Sequence, residues 1–296
     1  LRQEQDASES VCAVVVTFHP EADVLANLAA ARRQAGLLVV VDNGSSADEL
    51  APIRSLLADD AGAVLVEHGR NLGIATALNR GVHEGMERGF EWMLLFDQDS
   101  RVTDGFTEAM MGGFSRSRWG ERLALLVPRY LDKRVGTALQ PERREDGGLE
   151  VAMTSGSLLR AKTFQELGWF ADELFIDAVD HEYSLRLRSA GYMVDECSEA
   201  VLLHSPGDPR VVRWRGRKLY EVANYSPARR YYQERNKIWL YRRYFGKFPG
   251  YCARLMLFSG KDLVKILISE DNARKKAFYF LRGVKDGLLG RMGGLE

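Results

Sequence analysis

The stretch "LLFDQDSRV", residues 94–102, sets three apolar residues directly before two carboxylates, Asp97 and Asp99, spaced one apart. Alternate residues on an extended chain point the same way, so both acids can face one ligand. Hard oxygen donors of this kind suit Mg2+ or Mn2+ bridging to phosphate oxygens. A strand that ends in a solvated acidic turn would read the same, because D-x-D is short and common. A second acidic cluster, "LFIDAVDHEYSLRLRSAGY" (174–192), places Asp177, Asp180 and Glu182 at the head of an amphipathic run with Arg186 and Arg188 in its polar part. The positive end of a helix dipole favours negative charge at that place. It suits a base that takes a proton from an attacking hydroxyl, although each acid taken singly is also ordinary decoration of a first helical turn.

The elements that must position these acids alternate regularly. Buried, β-branched runs at 11–18, 37–42, 63–67 and 92–97 read as strands. Between them, 21–34, the segment opened by Ser46 and Glu49, and 73–89 carry apolar residues at helical spacing, the second starting with a capping box. Continuous apolar strands alternating with amphipathic helices predict an α/β fold, a mostly parallel Rossmann-like sheet with helices on both faces. In such sheets the ligand sits beyond the carboxyl ends of the strands. Those ends are Thr17 to His19, Asp42 to Gly44, His68 to Asn71, and Asp97 to Asp99, which puts the paired acids at the mouth of the sheet. No Walker phosphate loop and no G-x-G-x-x-G occurs, so a nucleotide bound here needs a metal for its diphosphate. Phosphatases of the haloacid dehalogenase type also place D-x-D after an apolar strand, but on the first strand and followed by Thr or Val. Here the pair follows the fourth strand and precedes Ser100 and Arg101.

At 296 residues and 46% hydrophobic content the chain has ample material for a core. Its three cysteines, Cys12, Cys197 and Cys252, are too scattered for a disulfide framework or a metal cluster, which fits a reducing compartment. The first ten residues are polar and acidic, unlike a signal peptide, and are expected to be a flexible N-terminus. No apolar run reaches the roughly 18 residues of a spanning helix, so a cytoplasmic protein is expected. Residues 128–150 are polar and read as a mobile loop.

Taken in order, these pieces resemble family 2 of the glycosyltransferases, and within it bacterial rhamnosyltransferases. "VVVTFHP", "VVDNGSS", "NLGIATALNRG" and "DQDS" are similar to that family's nucleotide and metal motifs, and "FIDAVDHEYSLRLRSAGY" to its catalytic helix. "LLHSPGD" (202–208) and "YSPARRYYQERNKIWL" (225–240) look like later signatures of the rhamnosyl group. The resemblance covers residues 11–245. It departs at Val179, where many members have Glu, and at Glu182, which replaces the usual second Asp.

The resemblance implies the GT-A fold over residues 11–209, with a nucleotide-sugar half at 11–100 and an acceptor half at 101–209, followed by a helical extension at 210–296. It implies an inverting, metal-dependent transfer of a sugar, with L-rhamnose from dTDP-L-rhamnose as the expected donor, to a cell-surface glycan or lipid-linked acceptor. Asp180 would be the catalytic base, and Asp99 and His204 would hold Mg2+ or Mn2+. Thr17, His19, Asp42, Asn71, Gly73 and Asp97 would contact the nucleotide. Gly156 and Ser157 would line the donor-sugar pocket. Another sugar nucleotide, or a non-catalytic sugar-binding module, remain the alternatives.

The zero net charge hides a division. Through Pro209 there are 20 Lys and Arg against 34 Asp and Glu, a net of −14; from Arg210 on, 21 against 7 give +14. In "RRYYQERNKIWLYRRYFGKFPGY" (229–251) the cations interleave with aromatics. Such helices suit an anionic membrane surface, which would place the protein peripherally on the inner face of the cytoplasmic membrane. Packing on the catalytic domain or burial in a homo-oligomer is the competing reading, and nucleic acid has no evident role.

Overall fold

The computed structural model describes residues 9–132, 138–139, 142–204, 210–214, 217–222 and 224–295, with the backbone alone at 132, 138–139, 204, 210–214 and 217–222. Most of the expected N-terminal segment, residues 133–137 of the expected loop and "SPGD" (205–208) therefore lie outside the described residues. Contacts divide the chain into two compact units, one of residues 1–171 with 180–205 and one of 172–179 with 206–296. The short loop before Asp180 groups with the C-terminal unit.

The first unit is built on a mixed sheet. Strands β1 (Val11–Thr17), β2 (Leu37–Asp42), β3 (Ala63–Glu67) and β4 (Trp92–Asp97) run parallel in the order β3-β2-β1-β4. Every residue of β1 and β2 is buried, which is why their sequences are apolar without alternation. Helices α1 (Val24–Arg32), α2 (Ala47–Leu57) and α3 (Ile74–Glu87) make the crossovers. Ser46 and Glu49 form the predicted capping box of α2, and Leu50, Ile53 and Leu57 are its buried face. Helix α3 lies very close to the sheet: a Cβ on Gly81 would come 2.2 Å from Val14 Cγ1, and one on Gly85 2.7 Å from Cys12 Sγ.

Beyond β4 come the two-residue β5 (Arg101–Val102), α4 (Phe106–Ser115), β6 (Leu123–Asp132), β7 (Ala138–Leu139), β8 (Ser157–Arg160), α5 (Ala161–Leu167), α6 (Val179–Ser189) and β9 (Met193–His204). β8 inserts antiparallel between β4 and β6, and β9 pairs parallel with β6 and antiparallel with β5. The start of the expected 128–150 loop is thus the end of a ten-residue strand.

The second unit opens with an antiparallel hairpin, β10 (Arg210–Trp214) and β11 (Arg217–Val222), where an all-helical extension was expected. Helices α7 (Pro227–Tyr244), α8 (Pro249–Ser269) and α9 (Ala273–Leu289) follow. Ser226 caps α7 through its hydroxyl, with Pro227 at the first position, where a missing N–H costs nothing.

Candidate active site

Strand register aligns the chemistry. Thr17 pairs with Asp42, Asp42 with Glu67, and Val16 with Asp97, so the carboxyl ends of four strands form one row. Asp97 is half-buried, Asp99 is exposed and Ser100 is buried. The turn between them is fixed from below: Ser100 N donates to Asp97 O at 3.1 Å, the Ser100 and Ser155 hydroxyls bond each other, and Asp97 N donates to Ser155 Oγ at 3.3 Å. Arg101 pairs antiparallel with Leu203 on β9, and the backbone of His204, the next residue, pairs with Asp132 of β6. The His204 side chain lies outside the described residues.

Tyr130 holds the segment on which this turn rests. Its hydroxyl donates to Ser155 O at 2.7 Å. Burial holds the phenol well above its ordinary range, and the nearby charges of Asp97, Asp180 and Glu196 push it further in the same direction. The same segment reaches α6, where the Ala152 N–H donates to Ser184 Oγ at 3.2 Å.

Asp180 sits in the first turn of α6 with its Oδ1 accepting the His181 N–H at 2.9 Å. The alternatives beside it are occupied. Glu182 is 1% exposed and ion-paired with Arg186, and Asp177 is ion-paired with Arg229 at 3.2 Å.

The expected nucleotide end is built of closely bonded turns. Asp42 is 1% exposed, and its oxygens accept from Thr17 Oγ1 at 3.1 Å, Gly44 N at 2.9 Å, Ser45 N at 2.8 Å and Ser45 Oγ at 2.5 Å. Four donors fill the roughly four lone-pair sites of a carboxylate, so Asp42 and the fully buried Thr17 hold the turn at the end of β2. The exposed groups are His19 and Asn71. His19 has a left-handed backbone (φ 46°) and its Nδ1 stands 3.0 Å from both Glu49 oxygens. The Ser46 amide and hydroxyl, with His19, draw the Glu49 carboxyl down to about 2. Asn71 Oδ1 accepts from Asn43 Nδ2 at 3.0 Å and from Gly73 N at 2.9 Å, which clasps the 68–73 loop to the end of β2. Gly44 makes the approach possible, since its φ is 106° and a Cβ there would lie 2.6 Å from the Arg70 carbonyl carbon. Gly73 (φ 92°) forms the N-cap of α3. Ser157 is fully buried and does not line an open pocket; Gly156, its Cβ position 2.7 Å from Pro128, is a packing glycine.

Sequence reasoning missed Tyr130 and Ser155, and gave Asn43 no role of its own although it stands within "VVDNGSS". It also missed the pair Arg235 and Asn236, both fully buried on α7 and both bonded to the loop before Asp180. That loop holds Phe175, Asp177 and Ala178 at positive φ (63°, 63° and 65°), a conformation that costs about 1–2 kcal/mol per non-glycine residue.

Among the described residues no group of three or more His, Cys, Asp or Glu side chains forms a metal cage. The donors that are present fit a divalent ion nonetheless. Two carboxylates on one turn leave positions open to diphosphate oxygens and water, which is how Mg2+ is ordinarily held.

A mixed, mostly parallel sheet with an antiparallel insertion and flanking helices makes the GT-A fold, and the protein is a glycosyltransferase. Residues 12–120 match the glycosyl transferase family 2 model. It is 28% identical over 306 residues to the dTDP-rhamnosyl transferase RfbF of Shigella flexneri, covering 97% of this chain and 98% of that one. It is also 28% identical over 253 residues to the galactofuranosyltransferase GlfT1 of Mycobacterium tuberculosis, covering 78% and 81%. Among solved structures, the mannosyltransferase PcManGT from Pyrobaculum calidifontis, in complex with GDP-Man and Mn2+, superposes with a TM-score of 0.58 at 13% identity, covering 95% of this chain and 88% of that one. GalNAc-T7 with UDP, GalNAc and Mn2+ gives 0.60 at 13%, covering 94% of this chain and 56% of that one.

Proposed function

We propose that the protein transfers L-rhamnose from dTDP-L-rhamnose to a hydroxyl of a cell-surface glycan or lipid-linked acceptor, with inversion at the sugar's anomeric carbon. The observation that carries the single-site reading is the short segment 152–155, which bonds the acid turn through Ser155 Oγ and the base helix α6 through the Ala152 N–H to Ser184 Oγ. Near-full coverage of a dTDP-rhamnosyl transferase supports the choice of donor.

In this mechanism the acceptor hydroxyl gives its proton to Asp180 as its oxygen bonds to the anomeric carbon. The bond from that carbon to the diphosphate breaks, and the nucleoside diphosphate departs with the electron pair. Asp99 and His204 would hold Mg2+ or Mn2+, which when bound neutralises charge on the leaving group. Asp97 keeps the turn and contacts ribose or a water of the ion's shell. Asn71 and His19, exposed at the strand ends, face the nucleotide, while Thr17, Asp42 and Gly73 shape the loops that present them.

Donor competition tests the reading. With Mn2+ present, dTDP-L-rhamnose should raise the melting temperature and should outcompete UDP-glucose and UDP-galactose. A preference for either UDP-sugar would assign the protein another donor, and binding of dTDP-L-rhamnose without metal-dependent transfer or hydrolysis would make it a binding module.

A further inference from the structure

Three strands of observation meet on the loop of residues 172–178. Its backbone carries three non-glycine residues in the left-handed region, Phe175, Asp177 and Ala178, the last two consecutive. Its carbonyls are taken up by one helix. Asn236 Nδ2 on α7 lies 2.9 Å from Leu174 O, 2.7 Å from Ile176 O and 2.7 Å from Asp177 O. Arg235 donates to Leu174 O at 2.9 Å and Glu173 O at 3.3 Å, to Gly293 O, and through Nε to Asn236 Oδ1 at 3.0 Å. Tyr231 and Tyr232 stand under the guanidinium, whose affinity for its proton is lowered by burial. On the outer side Arg229 pairs with the Asp177 carboxylate, and Phe175 stacks on Tyr232 at 5.0 Å.

A buried guanidinium spent on carbonyl oxygens is a costly means of tying down a surface turn. Strained backbone persists only where surrounding groups over-determine it. Both costs fall on the seven residues whose exit is Val179, the first residue of α6, followed by Asp180. The next link is covalent: the direction in which the chain enters α6 sets where the carboxylate of its first turn stands.

We infer that Asn236 and Arg235 are positioning residues for the catalytic base, acting through the strained loop and not by touching substrate; the inference rests on Asp180 being that base. Proton transfer needs heavy atoms within hydrogen-bond reach, and small misplacements are costly in rate. The loop's strain also predicts its own remedy, since glycine adopts positive φ without penalty.

The test is steady-state transfer by the full chain. Asn236→Ala should lower kcat by about 10- to 100-fold with the donor KM changed less than about threefold. In an Asp180→Asn background the same change should add no further loss, because residues that act as a unit are non-additive. Ala178→Gly should return part of the kcat lost in Asn236→Ala. Equal fold losses in both backgrounds would mean a general structural role and overturn the inference, as would a near wild-type kcat for Asn236→Ala. Should Asn236→Ala fail to fold, Arg229→Gln, at the exposed edge of the same clamp, should lower kcat severalfold on the same pattern, and an unchanged kcat there counts against it. Asp180→Asn separates the two readings: if it transfers sugar normally the base assignment falls, whereas an inactive Asp180→Asn beside a fully active Asn236→Ala removes only the clamp.

Discussion

Asp177, Asp180 and Glu182 stand within six residues of one another, and what surrounds each decides its use. Glu182 is sealed against Arg186 and Asp177 is held by Arg229, which leaves Asp180 as the carboxylate of the three without an arginine on it among the described contacts. The sequence displayed the three acids and Arg186, four residues from Glu182, but not the partner of Asp177, because Arg229 lies 52 positions away. Asp42 shows the same limit in reverse. Its place at a strand end was legible, whereas the four donors that occupy it come from a turn geometry no pattern displays. Asp99 remains exposed at the mouth of the sheet, and its role is testable by binding. Titration calorimetry on Asp99→Ala should show weakened donor affinity in Mn2+, with the gap between Mn2+ and EDTA that is expected of the wild type abolished. Equal wild-type affinity in Mn2+ and in EDTA would remove the metal from donor binding altogether.

Among the elements, β1, β2, β4 and α2 could be read almost to the residue, because fully buried strands and a capping box write themselves into local composition. The antiparallel insertion of β8 between β4 and β6 could not, since strand order is a matter of long-range pairing. Nor could the hairpin β10–β11 within the expected helical extension. Helix α3 carries a device that the sequence showed only as two glycines four apart. Gly81 and Gly85 let the helix rest against Val14 and Cys12 of β1, the strand that forms the middle of the nucleotide half. Gly81→Ala would drive its Cβ into a fully buried Val14. Overpacking of this kind costs about 1–3 kcal/mol. Chemical denaturation should show a lower midpoint with an unchanged m-value; an unaltered midpoint would mean that the helix can back away at no cost.

For the whole molecule the charge division is partly resolved by packing. The first basic helix, α7, buries Arg230, Arg235, Tyr231, Tyr232 and Tyr244, so much of its cation and aromatic content is internal. Arg242 reaches the carbonyls of Gly287 and Leu288 at the end of α9. The expected membrane-facing residues are therefore better sought further on. On α8, Leu257, Val264 and Ile268 are 54–72% exposed and recur at helical spacing with Lys261 between them. On α9, Phe278, Leu281 and Leu288 do the same beside Lys275 and Lys285. No described helix is long and apolar enough to cross a membrane. Apolar stripes interrupted by exposed cations fit the boundary between anionic headgroups and acyl chains. A second copy would set one +14 segment against another, which disfavours pairing through this face at low salt. The chain should therefore sediment with phosphatidylglycerol vesicles at low ionic strength and not with phosphatidylcholine. Binding should fall as salt rises, and Lys261→Glu, Lys275→Glu and Lys285→Glu together should abolish it with the melting temperature unchanged. Failure to sediment with the anionic vesicles, or a salt-resistant dimer that covers both stripes, would return these faces to protein–protein packing.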